Sequence, residues 1–231
     1  MLQNIHYQYR NACMMLFQRE AELVGFQGTA FLIHGDGYLL TAAHLITANQ
    51  QLMVAPVEEV SGFTPIHTDT VAPIEVEVAR IDWQRDLALL RFIQEIDVTM
   101  PDHVMGVPED IPVGASVACM GFPFGHYSIY NQLIKQAVVC SKISSGNETR
   151  LFLFDTMVHD GTRGGPLINV HDGRIIGVVG GRFSPQEIVH EHLRKTEMPI
   201  RTHISYAISL EHAEALMEQE GLSLGIEIVQ A

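Results

Sequence analysis

The chain has 231 residues, of which 47% are hydrophobic, and its formal net charge is -13. That hydrophobic share is enough for a packed core and too high for a disordered chain. The acidic balance argues against nucleic acid or an anionic membrane surface as a partner, because both attract basic patches. The length allows one large domain or two small ones.

The chain contains three cysteines, Cys13, Cys119 and Cys140. An odd and sparse set is not typical of a disulfide framework, so we expect a reducing, cytoplasmic location. Residues 1–20 lack the long apolar run of a signal peptide, and no other stretch is apolar enough to span a membrane. These observations predict a soluble protein without a membrane partner.

The first half of the chain is predicted to contain one helix and several strands. Residues 7–23 carry mixed apolar and polar side chains without glycine or proline, which favours a helix. Two apolar strands are predicted within residues 28–43, on either side of a turn at Asp36-Gly37. Residues 74–79 alternate apolar and acidic side chains, and Asp86 precedes a further apolar strand.

The second half is predicted to be rich in strands and to end in a helix. Ser184-Pro185 is typical of a helix start, and this helix is predicted to reach about residue 195. His190 and His192 lie two apart and do not share a helix face, so we interpret them as solvated and not as metal ligands. Ser209 is predicted to cap the final helix, over residues 210–220. A strand running into a turn is predicted over residues 113–125, and further strands over 136–143, 151–156, 167–170, 174–179 and 204–208.

Residues 160–167 form a glycine-rich loop with the sequence Asp-Gly-Thr-Arg-Gly-Gly-Pro-Leu. Glycine tolerates backbone conformations that other residues adopt at a cost, so such a run can bend tightly and leave N–H groups free to face a substrate oxygen. The loop resembles the Gly-Asn/Asp-Ser-Gly-Gly-Pro/Ala loop of trypsin-like serine proteases. In that register, Arg163 stands where the family carries its serine.

Two further segments carry the same resemblance. The phrase Leu-Thr-Ala-Ala-His ending at His44 resembles the segment with the general-base histidine, and Asp86 with Leu-Ala-Leu-Leu resembles the segment with the aspartate. Taken singly, a histidine at a strand end or an aspartate before a strand is more often structural. The order His44, Asp86, position 163 is that of the chymotrypsin-like class, which strengthens all three assignments.

Residues 113–125 resemble the Val-Gly-x-x-Val-x-x-x-Gly-x-Pro-x-Gly phrase of the HtrA (Deg) branch. Asp155, eight residues before position 163, also suits this branch. The resemblance covers residues 25–220 and is weakest at 46–80 and 183–203. Residues 222–231 are too few for the PDZ domain that HtrA proteins append.

The resemblance implies an all-β fold of two six-stranded antiparallel β-barrels with a terminal helix at each end. It divides the chain into an N-terminal helical segment (1–24), an N-terminal barrel (25–110), a C-terminal barrel (111–208), and a C-terminal helix and tail (209–231).

For chemistry, the resemblance implies peptide-bond hydrolysis in which a serine attacks, His44 takes its proton and Asp86 orients the imidazole. The backbone N–H groups of Gly161 and Arg163 would form the oxyanion hole. The primary pocket would be lined by Met157, Val179 and Gly180, with Met157 making it apolar; an ordinary core methionine is an equal alternative. No metal or other cofactor is implied.

Arginine cannot replace the nucleophile, because it stays protonated and has no lone pair free to attack. The sequence leaves two explanations open: a protease whose serine has been replaced, or a natural pseudoprotease that binds peptide or protein. Arg163 itself is expected to pair with a carboxylate such as Asp160 or to lie in the pocket. A third hypothesis, an unrelated β-rich protein, predicts that His44 and Asp86 lie apart. The oligomeric state is not predicted.

Overall fold

The computed structural model describes residues 1–21, 23–57, 62–63, 66, 72–98, 100, 104–184 and 202–222. The first barrel is closed and antiparallel, with the strand order β1-β2-β3-β6-β5-β4. Its strands are β1 (Cys13–Glu20), β2 (Leu23–His34), β3 (Tyr38–Ala42), β4 (Gln51–Ala55), β5 (Ile74–Asp82) and β6 (Leu87–Phe92).

The second barrel repeats this order as β7-β8-β9-β12-β11-β10. Its strands are β7 (Ser116–Gly121), β8 (Leu133–Ser144), β9 (Arg150–Phe154), β10 (Pro166–Asn169), β11 (Ile175–Arg182) and β12 (Ser205–Ser209). Two closed six-stranded barrels with a helix at each end confirm the fold predicted from the sequence.

Strand β1 replaces most of the helix predicted over residues 7–23, and that prediction is wrong. The first helix, α1, covers only Leu2–Tyr9. In β1, Cys13, Met15 and Phe17 pack into one buried cluster, while Met14 and Leu16 pack into the other. A strand buried on both faces gives an unbroken apolar run, which periodicity does not distinguish from a helix.

The N-terminal helix contacts the second barrel, and the C-terminal helix is linked to the first barrel. Tyr9 of α1 donates its hydroxyl to the carbonyl of Gly173 in the second barrel, at 2.7 Å. The C-terminal helix α2 (Glu211–Gln219) follows β12 of the second barrel, and the residue after it, Glu220, forms an ion pair with Arg80 of β5 at 2.8 Å. Tyr38 of β3 also donates to Glu220, at 3.2 Å. Each helix therefore reaches across to the barrel that does not contain the strand adjoining it.

The predicted C-terminal helix is confirmed, but its predicted cap is not. Ser209 is the last residue of β12, and the residue preceding α2 is Leu210, which makes no side-chain capping bond. The helix predicted from Ser184 to about residue 195, with His190 and His192, lies outside the described residues. Among the described residues, neither helix has the length and apolar character needed to cross a bilayer.

Candidate active site

His44 and Asp86 come together because β3 and β6 are antiparallel neighbours. In that pairing Ala42, the last residue of β3, lies opposite Leu87, the first residue of β6. His44 lies in the 3-10 turn that follows β3, and Asp86 is the residue just before β6. The two side chains therefore emerge at the same end of the barrel.

The carboxylate of Asp86 holds both the ring and the backbone of His44. One oxygen lies 2.7 Å from His44 Nδ1, and the other accepts the His44 backbone N–H at 2.8 Å. The Asp86 backbone is left-handed, with φ 59°, a conformation that aspartate tolerates better than most residues. A ring whose Nδ1 faces a carboxylate keeps Nε2 available to accept a proton. This contact contradicts the hypothesis of an unrelated protein.

The glycine-rich loop begins with a 3-10 turn over Asp160–Thr162 and runs into β10. The N–H of Gly164 donates to the carbonyl of Val179, and the N–H of Val179 donates to the carbonyl of Gly165, both at 2.8 Å. Gly164 has φ +81°, and a Cβ there would lie 2.1 Å from the Thr29 carbonyl oxygen. Only glycine fits this position, because both the backbone conformation and the space exclude a side chain.

Thr29 of β2 joins the first barrel to this loop. Its N–H donates to the carbonyl of Arg163 at 2.9 Å, and its hydroxyl donates to the carbonyl of Gly161 at 2.7 Å. Its own carbonyl accepts the hydroxyl of Thr41 at 2.7 Å. Leu45, next to His44, is also close, since a Cβ at Gly164 would lie 3.0 Å from it. The loop is thus held directly beside the turn that carries His44.

The guanidinium of Arg163 forms an ion pair with Asp160, with Nη2 and Oδ1 2.9 Å apart. This is the pairing expected from the sequence. The side chain also lies over the end of β11, because a Cβ at Gly181 would lie 3.2 Å from Arg163 Nε. The cation is therefore directed along the cleft wall, partly exposed and partly neutralised.

The structure differs from the predicted oxyanion hole at the backbone of Arg163. Its N–H donates to the carbonyl of Asp160 at 3.1 Å, within the 3-10 turn. An N–H that already has an acceptor inside the loop does not face the cleft to stabilise a developing oxyanion. Gly161 lies beside it, packed so closely that a Cβ would come within 2.0 Å of the Phe122 carbonyl oxygen.

The two buried cysteines do not supply the missing nucleophile. All three cysteines are free thiols, and Cys13 and Cys119 are buried. Burial raises the pKa of the Cys13 thiol well above its usual range and raises the pKa of Cys119 to about 12. Neither is a thiolate at neutral pH, and the thiolate is the reactive form.

The comparison with known families agrees with this geometry. The profile of the family described as "Trypsin-like peptidase domain" matches residues 28–178, a span that contains His44, Asp86 and the loop. The chain belongs to the trypsin-like peptidase family.

Several curated proteins resemble this trypsin-like peptidase domain. Serine protease HTRA4 of Mus musculus is 30% identical over 176 residues, which cover 71% of this chain and 32% of that protein. A probable periplasmic serine endoprotease DegP-like of Halomonas elongata is 27% identical over 158 residues, covering 65% of this chain and 28% of that protein. The chain therefore spans about a third of the length of these relatives.

Solved structures share the fold over nearly the whole trypsin-like domain. The structure described as HtrA-type protease AlgW with tripeptide superimposes with a TM-score of 0.69 at 20% identity, covering 95% of this chain and 63% of that chain. The serine endoprotease from Yersinia pestis gives a TM-score of 0.68 at 19% identity. These likenesses concern the fold.

The predicted pocket residues of the trypsin-like domain occupy different surroundings. Met157 is half-buried, and its carbonyl accepts the ammonium group of Lys135 at 2.8 Å. The side chain of Val179 is fully buried in the core of the second barrel. Gly180 lies against the ring of Tyr206, since a Cβ there would come within 2.2 Å of it. Tyr206 was missed because a single tyrosine in a strand carries no functional signal.

Sequence reasoning also missed the residues that brace the loop from neighbouring strands. Thr29 binds it from β2, and Ser205 of β12 binds the segment before it. Both hydroxyls are buried within strands. A buried hydroxyl on an apolar strand requires a hydrogen-bond partner, and this was the available signal.

Proposed function

We propose that this chain is a trypsin-like serine protease domain that holds a peptide or protein segment in its cleft without cutting it. The proposal rests on Arg163, which occupies the family's nucleophile position in the register read from the sequence. Its guanidinium is paired with Asp160, and its N–H is bonded to the Asp160 carbonyl. Two elements of acyl transfer, the attacking oxygen and one oxyanion donor, are thereby replaced by contacts within the loop.

The energetic consequence of losing the nucleophile is large. In triad enzymes, removal of the nucleophile lowers turnover on the order of a million-fold. Thr162 does not compensate, because its side chain is buried and it lies one residue away from position 163. We expect the chain as it stands to hydrolyse peptides no faster than a triad enzyme that lacks its nucleophile, which is close to the rate of uncatalysed hydrolysis.

A second candidate function is favoured by the His44–Asp86 contact. At 2.7 Å it has the geometry of a general base and the group that orients it. Under this candidate, the His44–Asp86 pair and the glycines of the loop are those of a peptidase that one substitution, at position 163, has inactivated. Under this candidate, serine at position 163 restores cleavage.

The two candidates are separated by reaction with a fluorophosphonate probe on this chain, on Arg163→Ser and on Arg163→Ala. We expect no labelling of any of the three, because the N–H at position 163 is bonded inside the loop. Labelling of Arg163→Ser alone would favour the disabled peptidase. Labelling of the unaltered chain would contradict both candidates, and the alanine variant controls for removal of the Arg163–Asp160 pair without a nucleophile.

Peptide binding is tested on the same three proteins by fluorescence polarisation with a labelled hexapeptide library. The proposal expects saturable binding to the unaltered chain. Absence of binding by every peptide would overturn it.

A further inference from the structure

The segment that leads into the loop is fixed from two strands of the second barrel. Lys135 of β8 donates its ammonium group to the Met157 carbonyl at 2.8 Å. Ser205 of β12 donates its hydroxyl to the Thr156 carbonyl at 2.6 Å and accepts the N–H of Val158 at 3.1 Å. The ammonium group of Lys135 is thus held at the segment where the primary pocket is expected.

Two arginines lie near the same segment, Arg182 at the end of β11 and Arg163 in the glycine-rich loop. Arg182, the last residue of that strand, lies opposite Ser205 in the register of β11 and β12, and its side chain is exposed. Arg163 Nε lies 3.2 Å from the Cβ position of the preceding residue, Gly181. Lys135 and Arg182 therefore lie beside residues 156–158, and Arg163 lies beside the residue that precedes Arg182. These cations lie near one another although the chain as a whole has 27 acidic and only 14 basic residues.

The positive charge at this end is only partly balanced. Asp160 pairs with Arg163. Within the described residues, no ion pair forms at Lys135 or Arg182, and only one of the three ammonium donors of Lys135 has a protein acceptor. The pKa of His159 reflects this excess of positive charge. Burial lowers the pKa first, Lys135 and Arg182 lower it further, and Asp160 acts in the opposite direction.

We propose that the cleft recognises its peptide ligand through a carboxylate held by Lys135, Arg182 and Arg163. The inference rests on the proposed peptide-binding function and specifies its ligand class. A carboxylate supplies acceptors to the unused ammonium donors and to the exposed guanidinium, and such charge-assisted hydrogen bonds are stronger than neutral ones. The carboxylate comes either from an acidic side chain or from the C-terminus of the peptide.

The test uses matched labelled hexapeptides in fluorescence polarisation. Each position in turn carries Glu, Gln or Lys, and each peptide is made with a free and with an amidated C-terminus. We expect a carboxylate-bearing peptide to bind about tenfold more tightly than its neutral match. The preference should shrink as salt is added, because these groups are partly exposed. A preference that follows Glu indicates a side chain, and one that follows the free C-terminus indicates the chain end.

The variants Lys135→Met and Arg182→Gln should each remove most of the preference for a carboxylate over its neutral match. Arg91→Gln is the matched control, since Arg91 is an exposed arginine of the first barrel paired with Glu77. Binding without any charge preference, or a preference that survives both variants, would overturn the carboxylate proposal and leave the peptide-binding function standing. If no peptide binds, the proposed function fails, and this inference fails with it.

Discussion

Gly161 marks the tightest contact between the loop and Phe122, the residue that follows β7. Its carbonyl accepts the Thr29 hydroxyl, and a Cβ at this position would lie 2.0 Å from the Phe122 carbonyl oxygen. Backbone atoms cannot move aside as a flexible side-chain end can. The glycine is therefore required by packing, whatever the chemistry of position 163.

Replacement of Gly161 by alanine should destabilise the domain by about 3 kcal/mol, because overpacking against backbone forces the loop to shift. Urea denaturation monitored by tryptophan fluorescence measures the loss. Gly146→Ala is the control, since an added Cβ at Gly146 meets nothing within 4 Å. Equal stability of the two variants would contradict the close packing of the loop.

For single residues, the sequence predicted those that stand in a family motif better than those that hold the motif in place. His44 and Asp86 stand in specific phrases, and the structure brings them into contact. For Val179, the sequence does not reveal that the side chain points into the core of the second barrel. Lys135 was missed because the sequence does not show that β8 passes behind the segment before the loop.

Strand β2 is the element that connects the two barrels at the site. Thr29 makes four hydrogen bonds to other elements: its N–H donates to Arg163, its hydroxyl donates to Gly161 and accepts from the Phe122 N–H, and its carbonyl accepts from Thr41. It is completely buried. The backbone of the loop is thus anchored to the first barrel at two of its carbonyl groups, those of Gly161 and Arg163.

Thr29→Val should cost about 2 kcal/mol of unfolding free energy, because it keeps the shape and leaves the Gly161 carbonyl without its donor. Hydrogen exchange should also rise in residues 160–165, which are held through that contact. Ser116→Ala removes an exposed hydroxyl from β7 and serves as the control. Unchanged exchange in Thr29→Val would show that the hydroxyl does not brace the loop.

Among the elements, alternating strands and hairpins were predictable, and the doubly buried strand was not. β5 shows the alternation of a half-exposed strand, and β10 and β11 flank a glycine turn. β1 contributes to two buried clusters and so lacks alternation. Its assignment requires knowledge of the neighbouring barrel, which is tertiary information.

For the whole molecule, an ionic cluster joins the connection between the barrels to the C-terminal helix. Arg150 of β9 contacts Glu109 of that connection and lies 2.9 Å from Glu211, the first residue of α2. Burial, followed by the neighbouring Glu109, raises the pKa of Glu211 to about 7 from its ordinary 4.5. The hydrogen bond with Glu211 lowers the pKa of Glu109.

These shifts predict a pH-dependent stability. A carboxyl whose pKa is raised on folding contributes stability below its ordinary pKa, and this contribution is lost as the pH rises through 7. The opposite effect of Glu109 is weaker, because its side chain is 54% exposed and screened by solvent. Glu211→Gln should therefore gain about 1 kcal/mol relative to the unaltered chain between about pH 5 and about pH 8.

Urea denaturation at both pH values measures this difference. Glu20→Gln, which alters an exposed carboxyl at the end of β1, is the control. An equal effect of the substitution at the two pH values would show that Glu211 is ionised throughout this range and would contradict its raised pKa. The cytoplasmic location expected from the cysteines stays a prediction.

The crossed terminal helices also determine how the molecule carries mechanical load. Because α1 is fastened to the second barrel by Tyr9 and α2 to the first barrel through Glu220, a pull on the two helices strains both fastenings together. Separation of the barrels is opposed at both ends of the chain, because each terminal segment is bonded to the barrel that it does not adjoin. Drawing the two barrels apart by pulling on the helices would therefore require at least one of these contacts to break first.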